Sequence, residues 1–288
     1  MISHMNVIAN TLQVCTYEQP ARDSISKDYK DVALGLLPQS HIYALIVVCL
    51  CSTYRGDQVV VLPKFDIKDY LTSVASYRIN SLYIVPPIII AMTKNKALLD
   101  KFDLRSVRTI FTGAAPLGKE VAELLQDQYP KWLIRQGYGL TETCTVVCST
   151  SAHDVWFGSS GSILCGIECR LVTLEGNEVT GYDQPGELLV KSPSVVLGYL
   201  QNEQATKETF VEDGKGGRWM RTGDEAVIKK GPSGYEHVWI VDRIKELIKV
   251  KVCLLDLIHM MKLTAMIAGL ASCTSRTGSS SSYASRCR

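Results

Sequence analysis

The sequence has 288 residues, 46% of them hydrophobic, with 31 Lys and Arg against 29 Asp and Glu and a formal net charge of +2. This suits one large or two ordinary globular domains with a sizeable core. Without a basic block, it gives no reason to expect nucleic acid as a partner. In chain order, 1–15 (MISHMNVIANTLQVC) is expected to be helical. VALGLL before Pro38 reads as a buried strand, and the apolar run after His41 as a helix ending near Gly56. DQVVVLP reads as a Val-rich strand stopped by Pro63, and Asp66 can cap a helix from Ile67 to Tyr77. SLYIVPP is a strand broken by Pro86 and Pro87, IIIAMTKNKALLD a helix, and VRTIFTG a strand ending in Gly113. A helix is expected from Pro116 through PLGKEVAELLQDQYP, then a strand, WLIRQGYG, that ends in its glycines.

Strands and helices alternate over residues 1–154, which predicts an α/β fold with a largely parallel sheet flanked by helices. From 155 to 240 the pattern changes to short strands with Gly-rich turns, including a hairpin turning at Gly231 to Gly234, and predicts a small barrel-like β subdomain. Residues 241–251 read as a connector. Residues 252–288 form a divergent tail whose Ser- and Arg-rich end cannot bury enough apolar surface to order itself.

No segment reads as a membrane span. The run from Ile42 to Cys51 is about half the roughly 20 residues required, and Asp256, His259 and Lys262 interrupt the run from Val252 to Ala271. The start, Met1-Ile2-Ser3-His4-Met5-Asn6, lacks the apolar segment that secretion needs, so the 10 cysteines are expected as free thiols in the cytoplasm. Cys144, Cys148, Cys165 and Cys169 have spacings that could hold zinc. The competing reading makes them small core residues, with Cys165 and Cys169 on one face of a strand.

Four segments carry candidate chemistry. Gly113-Ala114-Ala115-Pro116-Leu117, after a strand, leaves room for a flat ligand against the backbone, though a tight turn would look the same. In Gln136-Gly137-Tyr138-Gly139-Leu140-Thr141-Glu142-Thr143 the glycines allow close backbone approach and the ring can wall a pocket. Thr141 can donate to a phosphate oxygen, and Glu142 can hold magnesium. In Arg221-Thr222-Gly223-Asp224 the carboxylate can accept both hydroxyls of a ribose, although an Asp after Gly is more often a turn residue. The fourth, Asp242 to Lys251, places Arg243 and alternating lysines along one side of a strand or connector.

Taken together and in this order, GAAPL, QGYGLTET, RTGD and DRIKELIKVK resemble the adenylate-forming superfamily of acyl-CoA ligases, luciferases and peptide-synthetase adenylation domains. LPQSHIYAL and VVVLPKFD look closest to its coumarate–CoA ligase branch, and the resemblance covers roughly residues 1–251. It implies a partial large N-terminal domain of such an enzyme, with ATP, magnesium and coenzyme A as cofactors. A carboxylic acid, aromatic or medium- to long-chain, would become an acyl-adenylate and then a thioester.

By that resemblance Gly113, Ala114 and Ala115 line the adenine and acyl pocket. Gln136, Gly137, Tyr138, Gly139 and Thr141 contact adenine and phosphate, and Glu142 ligates magnesium. Asp224 and Arg243 hold the ribose. His41 and Tyr43 border the acyl substrate, and Lys64 meets the coenzyme A nucleotide. Lys245 falls at a hinge, and Lys249 and Lys251 approach the nucleotide. His41, Thr141, Glu142 and Lys249 are the catalytic candidates.

Two departures from the family pattern are expected to matter. The family's phosphate loop would precede Met1. Its mobile C-terminal domain, with a catalytic lysine, would follow a glycine where Val252 stands. An uncovered sheet edge or exposed core is expected as a result. The alternative to a ligase is therefore a non-catalytic AMP-binding or protein-interaction remnant. An adenylation module feeding a carrier protein has less support, because Lys64 fits the coenzyme A branch.

Overall fold

The computed structural model describes residues 1–244. Helix α1 (His4–Asp23) opens with a capping box between Ser3 and Asn6, and strand β1 (Val32–Gly35) follows. A π-helical stretch (Ala44–Leu50) leads into α2 (Cys51–Arg55), which Gly56 ends in the left-handed conformation that glycine adopts at low cost. Next come β2 (Gln58–Val61), α3 (Ile67–Tyr77), β3 (Ser81–Ile84), α4 (Pro86–Lys94), α5 (Lys96–Leu99), β4 (Thr109–Thr112), α6 (Lys119–Gln128) and β5 (Leu133–Leu140). Asp66 caps α3 as expected, its carboxylate accepting the amides of Lys68 and Asp69. Strand β6 (Thr145–Ser149) turns back along β5, and β7 (Ser162–Ile163) pairs with β6.

These strands form one sheet in the order β2-β1-β3-β4-β5-β6-β7, parallel from β2 to β5 and antiparallel beyond. Successive side chains point to opposite faces, so each short strand feeds two cores. Leu34, Leu82, Ile110 and Ile134 pack against Tyr70 and Leu71 of α3, Ile89 of α4 and Leu125 of α6. Ala33, Tyr83 and Phe111 face the other way, toward Ile46 and Val47.

A second, antiparallel sheet contains β8 (Glu168–Val172), β9 (Glu178–Val179), β10 (Gly186–Lys191), β11 (Phe210–Glu212), β12 (Arg218–Lys230) and β13 (Glu236–Arg243), with α7 (Glu203–Thr209) before β11. Its order is β11-β12-β10-β8-β9, and β13 pairs antiparallel with residues 224–230 of the long strand β12. Leu171, Leu188 and Val190 join the core cluster that contains Phe111 and Val147. The hairpin turn falls at Gly231 to Gly234, where Gly231 N–H donates to Tyr235 O and Gly234 N–H to Gly231 O.

Several elements depart from expectation. Helix α1 runs past Cys15 and through Pro20 to Asp23. Its buried face is polar: Asn6 donates to Pro193 O and Val195 O, Asn10 pairs with both backbone groups of Val146, and Tyr17 donates to Ser149 O. Side-chain hydrogen bonds, rather than an apolar stripe, hold this helix. Met5, Ile8 and Leu12 face outward.

The expected single helix at 88–100 breaks at Asn95 into α4 and α5, and α6 starts at Lys119 rather than Pro116. Strand β5 does not stop at its glycines but continues through Gly137 and Gly139 to Leu140. Cys165 lies exposed in a turn before β8 rather than sharing a strand face with Cys169. At the sheet edge Val61 of β2 is 62% exposed. No helix among the described residues is long and apolar enough to cross a membrane.

Candidate functional site

The parallel strands present their carboxyl ends together at Gly35, Val61, Ile84, Thr112 and Gln136. Open α/β sheets bind ligands at this end, where the chain leaves each strand before turning into the next helix. Tyr43 lies beneath it, 4% exposed, with its hydroxyl donating to Phe111 O at 2.8 Å. Burial pushes its phenol well above the usual range, so it stays a donor. Tyr43 N–H donates to His41 Nδ1, and the His41 side chain is exposed.

After β4, Gly113 is buried next to Gly137 O and the Tyr43 ring, and Ala114 adopts φ +67°. A left-handed alanine is uncommon and costs roughly 1 kcal/mol, so the surrounding structure must hold it there. Part of that restraint is Gln136, whose Oε1 accepts Leu117 N–H at 3.1 Å and ties this loop to β5. The side chain of Gln136 is thus a brace between this loop and β5.

The glycines of β5 serve the protein's own packing. A Cβ on Gly139 would sit 1.3 Å from Thr145 O, and one on Gly137 would sit 2.6 Å from the Phe111 ring. They let β6 fold back tightly, and the strain of that reversal shows at Cys144 (φ +52°) and Thr145 (φ +109°). Within the reversal, the 3₁₀ turn Thr141–Thr143 leaves Thr141 exposed and Glu142 half-buried. Glu142 Oε1 accepts the Tyr199 hydroxyl at 2.9 Å. Burial pushes the Tyr199 phenol up to about 12, with the Glu142 charge adding to it, so Tyr199 keeps its proton.

The third segment reaches this turn from the other sheet. Asp224 is not a turn residue: it lies within β12 and is 2% exposed. Its Oδ2 accepts the Tyr138 hydroxyl at 2.6 Å, and its Oδ1 pairs with Arg243 Nε at 3.0 Å, directly across the β12–β13 ladder. Burial raises the Tyr138 phenol well above its usual value, and the adjacent carboxylate raises it further. Glu187, 6% exposed, holds the approach: its Oε1 accepts Gly223 N–H and its Oε2 accepts Arg221 Nε. Gly223 takes φ +71° at this point, where glycine is unstrained.

Lys64 is exposed just past β2, at the same end of the sheet but on its edge strand. Lys245, Lys249 and Lys251 lie outside the described residues, as does the tail 252–288. Among the described residues no three His, Cys, Asp or Glu side chains converge as a metal site, and Cys144 and Cys148 are buried in the core.

Residues 1–200 match the family model described as AMP-binding enzyme. The chain belongs to this family. An acyl-CoA ligase of Cordyceps militaris is 45% identical over 251 residues, covering 87% of this chain and 38% of that protein. The chain spans less than two thirds of the length of the curated relatives it matches. Among solved structures, ATP-bound MatB from Rhodopseudomonas palustris superposes with a TM-score of 0.73 at 26% identity, over 86% of this chain and 46% of that one. O-succinylbenzoate coenzyme A synthetase from Bacillus subtilis, in complex with ATP and magnesium, does so with a TM-score of 0.68 at 23% identity, over 87% and 48%. The fold is that of the N-terminal part of adenylate-forming enzymes.

As an AMP-binding family member, the chain has residues that fit an adenosine nucleotide. A buried carboxylate held by a neutral donor and a guanidinium can accept diol hydroxyls. Sequence reasoning missed Glu187 and Tyr199. Glu187 had one visible signal, a lone acid at the start of the apolar strand GELLV. Tyr199 had none.

Proposed function

We propose that this chain is the nucleotide- and acyl-handling part of an ATP-dependent acid–thiol ligase. The enzyme joins a carboxylic acid to AMP with release of pyrophosphate, and coenzyme A sulfur then displaces AMP to give the thioester. The observation that carries this reading is the junction of the two sheets, where Asp224 holds both Tyr138 and Arg243 beside the strained loops at Ala114 and Thr145. Acyl-CoA ligase relatives at 43–45% identity support the reaction class.

In this reading Asp224 and Arg243 take the ribose, and Tyr138 walls the adenine with Gly113, Ala114 and Ala115. Gln136, Gly137 and Gly139 shape that wall from behind. Thr141 donates to phosphate. Magnesium, held at Glu142, supplies charge neutralisation of the phosphates when bound. His41 and Tyr43 border the acid, an aromatic or medium- to long-chain one, and Lys64 meets the coenzyme A nucleotide. Lys245, Lys249 and Lys251 belong to the same reading, and so does a cytoplasmic location.

ATP–pyrophosphate exchange by the purified 288-residue chain, across a panel of aromatic and aliphatic acids, tests the proposal. Acid-dependent exchange supports it. AMP binding without exchange for any acid would favour the non-catalytic nucleotide-binding remnant, and absence of AMP binding would refute both.

A further inference from the structure

One cavity among the described residues lies away from the nucleotide loops. It opens at the opposite, amino end of the parallel strands, beside Asp31 before β1, Ser81 of β3, Thr109 of β4 and Leu133 of β5. Its volume is about 300 Å3. Five cations line it, Arg22, Arg55, Arg108, Lys131 and Arg135, against the carboxylates of Glu18 and Asp31.

The inner part is built and charge-matched. Arg135 makes a two-pronged pair with Glu18, with both nitrogen–oxygen distances below 2.8 Å, and also donates to Thr150 O from Nε. Arg22 bridges Asp31 and Asp57, and Arg55 pairs with Asp57 at 2.8 Å. The side chains of these three arginines are 5–9% exposed. Each carboxylate is therefore committed to a buried guanidinium.

Two cations are left over. Arg108 and Lys131 are exposed at the mouth, and neither has a carboxylate within ion-pair distance among the described residues. Arg108 rests over the Tyr29 ring at 5.2 Å, with Arg22 over the same ring at 5.1 Å. His153 also lines it, and Tyr83 and Phe111 add aromatic rings. A concave surface of one net sign focuses its field on the mouth, and a few convergent polar groups over an aromatic wall are the usual make-up of a small-molecule site.

We propose that this cavity is a second ligand site, which takes a small oxyanion, carboxylate or phosphate, between Arg108 and Lys131. The buried arginine–carboxylate lattice supplies a rigid floor, so the two free cations meet the anion without rearrangement of the core. The site lies on the opposite end of the sheet from Gly113, Gln136 and Thr141, so its ligand does not compete with AMP. Whether the oxyanion belongs to a phosphate compound or to an organic acid is distinguished by using both as probes.

The test is calorimetric titration of the full 288-residue chain with inorganic pyrophosphate in one arm and benzoate in the other, at low and moderate salt. At least one probe is expected to bind, more weakly as salt rises. The Arg108→Ala/Lys131→Ala double variant is expected to lose roughly tenfold or more in affinity, since two charge-assisted contacts vanish. Arg108→Lys/Lys131→Arg, which keeps both charges, should bind nearly as well as the parent. Equal binding by the parent and the double alanine variant would overturn the proposal. So would no heat from either probe at millimolar concentration. Because Arg108 and Lys131 are exposed and make no ion pair among the described residues, their removal should not unfold the chain, and a thermal melt of the double variant confirms that each outcome reports binding.

Discussion

Tyr138→Phe removes one hydroxyl from the junction of the two sheets while keeping the ring that would lie against adenine. In the free protein that hydroxyl donates to Asp224 Oδ2 at 2.6 Å, and Asp224 is 2% exposed. A hydrogen bond to a charged group contributes about 1.5–3 kcal/mol, so the variant should be less stable by about that amount. Arg243 at 3.0 Å keeps the carboxylate from being wholly unpaired, which favours the lower end. The effect on nucleotide affinity has the opposite sign. If Asp224 accepts the ribose hydroxyls, AMP must share or displace the Tyr138 bond in the parent, whereas in the variant it fills an acceptor left without that partner. Recovering about 1.4 kcal/mol would lower the AMP dissociation constant about tenfold. Urea unfolding measures the first effect and calorimetric titration with AMP the second. A variant that is less stable and also binds AMP more weakly would refute the reasoning, because Tyr138 would then be helping to hold the nucleotide rather than occupying its acceptor.

Three further outcomes are expected. Gly139→Ala places a Cβ 1.3 Å from Thr145 O and should destabilise the chain by about 3 kcal/mol or prevent folding, whereas Gly118→Ala, whose nearest contact is a side-chain oxygen at 3.5 Å, should be nearly neutral. Thermal melts of the two variants compare them directly, and equal melting temperatures would contradict the close-approach argument. Glu18→Gln breaks the pair with Arg135, whose side chain is 5% exposed, and should cost about 3 kcal/mol at neutral pH. Burial raises the Glu18 carboxyl, but the Arg135 charge and hydrogen bonds more than offset this and leave it below its ordinary value of 4.5. The contribution is thus complete above about 4.5 and lost as pH falls through the lower folded value, so the stability gap between parent and variant should narrow in acid. A gap independent of pH in urea unfolding would exclude the ionised pair as its source. His237→Phe strips partners from Asp154 (2.7 Å) and Ser159 (2.7 Å), both buried, and should cost about 1–3 kcal/mol without changing AMP affinity. A variant of parental stability in urea unfolding would show that these two groups find other partners.

The amino-acid order alone determined the alternation of strands and helices through the first sheet, because each of those elements is a local apolar run bounded by Pro, Gly or a capping Asp. β1, β3 and β4 and the Asp66 cap of α3 needed nothing more than that. The four motif segments were also legible, since their residue types and order are independent of packing. Tertiary structure decided three things. It placed Asp224 in the middle of a 13-residue strand rather than in a turn, because β10 and β13 flank β12 and Glu187 holds Gly223 from the side. It gave Gly137 and Gly139 their reason, which lies in β6 and Phe111 and appears in no local pattern. It also extended α1 through Pro20 on hydrogen bonds reaching from Asn6, Asn10 and Tyr17 to residues 132 to 189 positions away in the chain. A buried polar face has no hydrophobic period to read, and a hydrogen bond between distant segments exists only after the chain has folded.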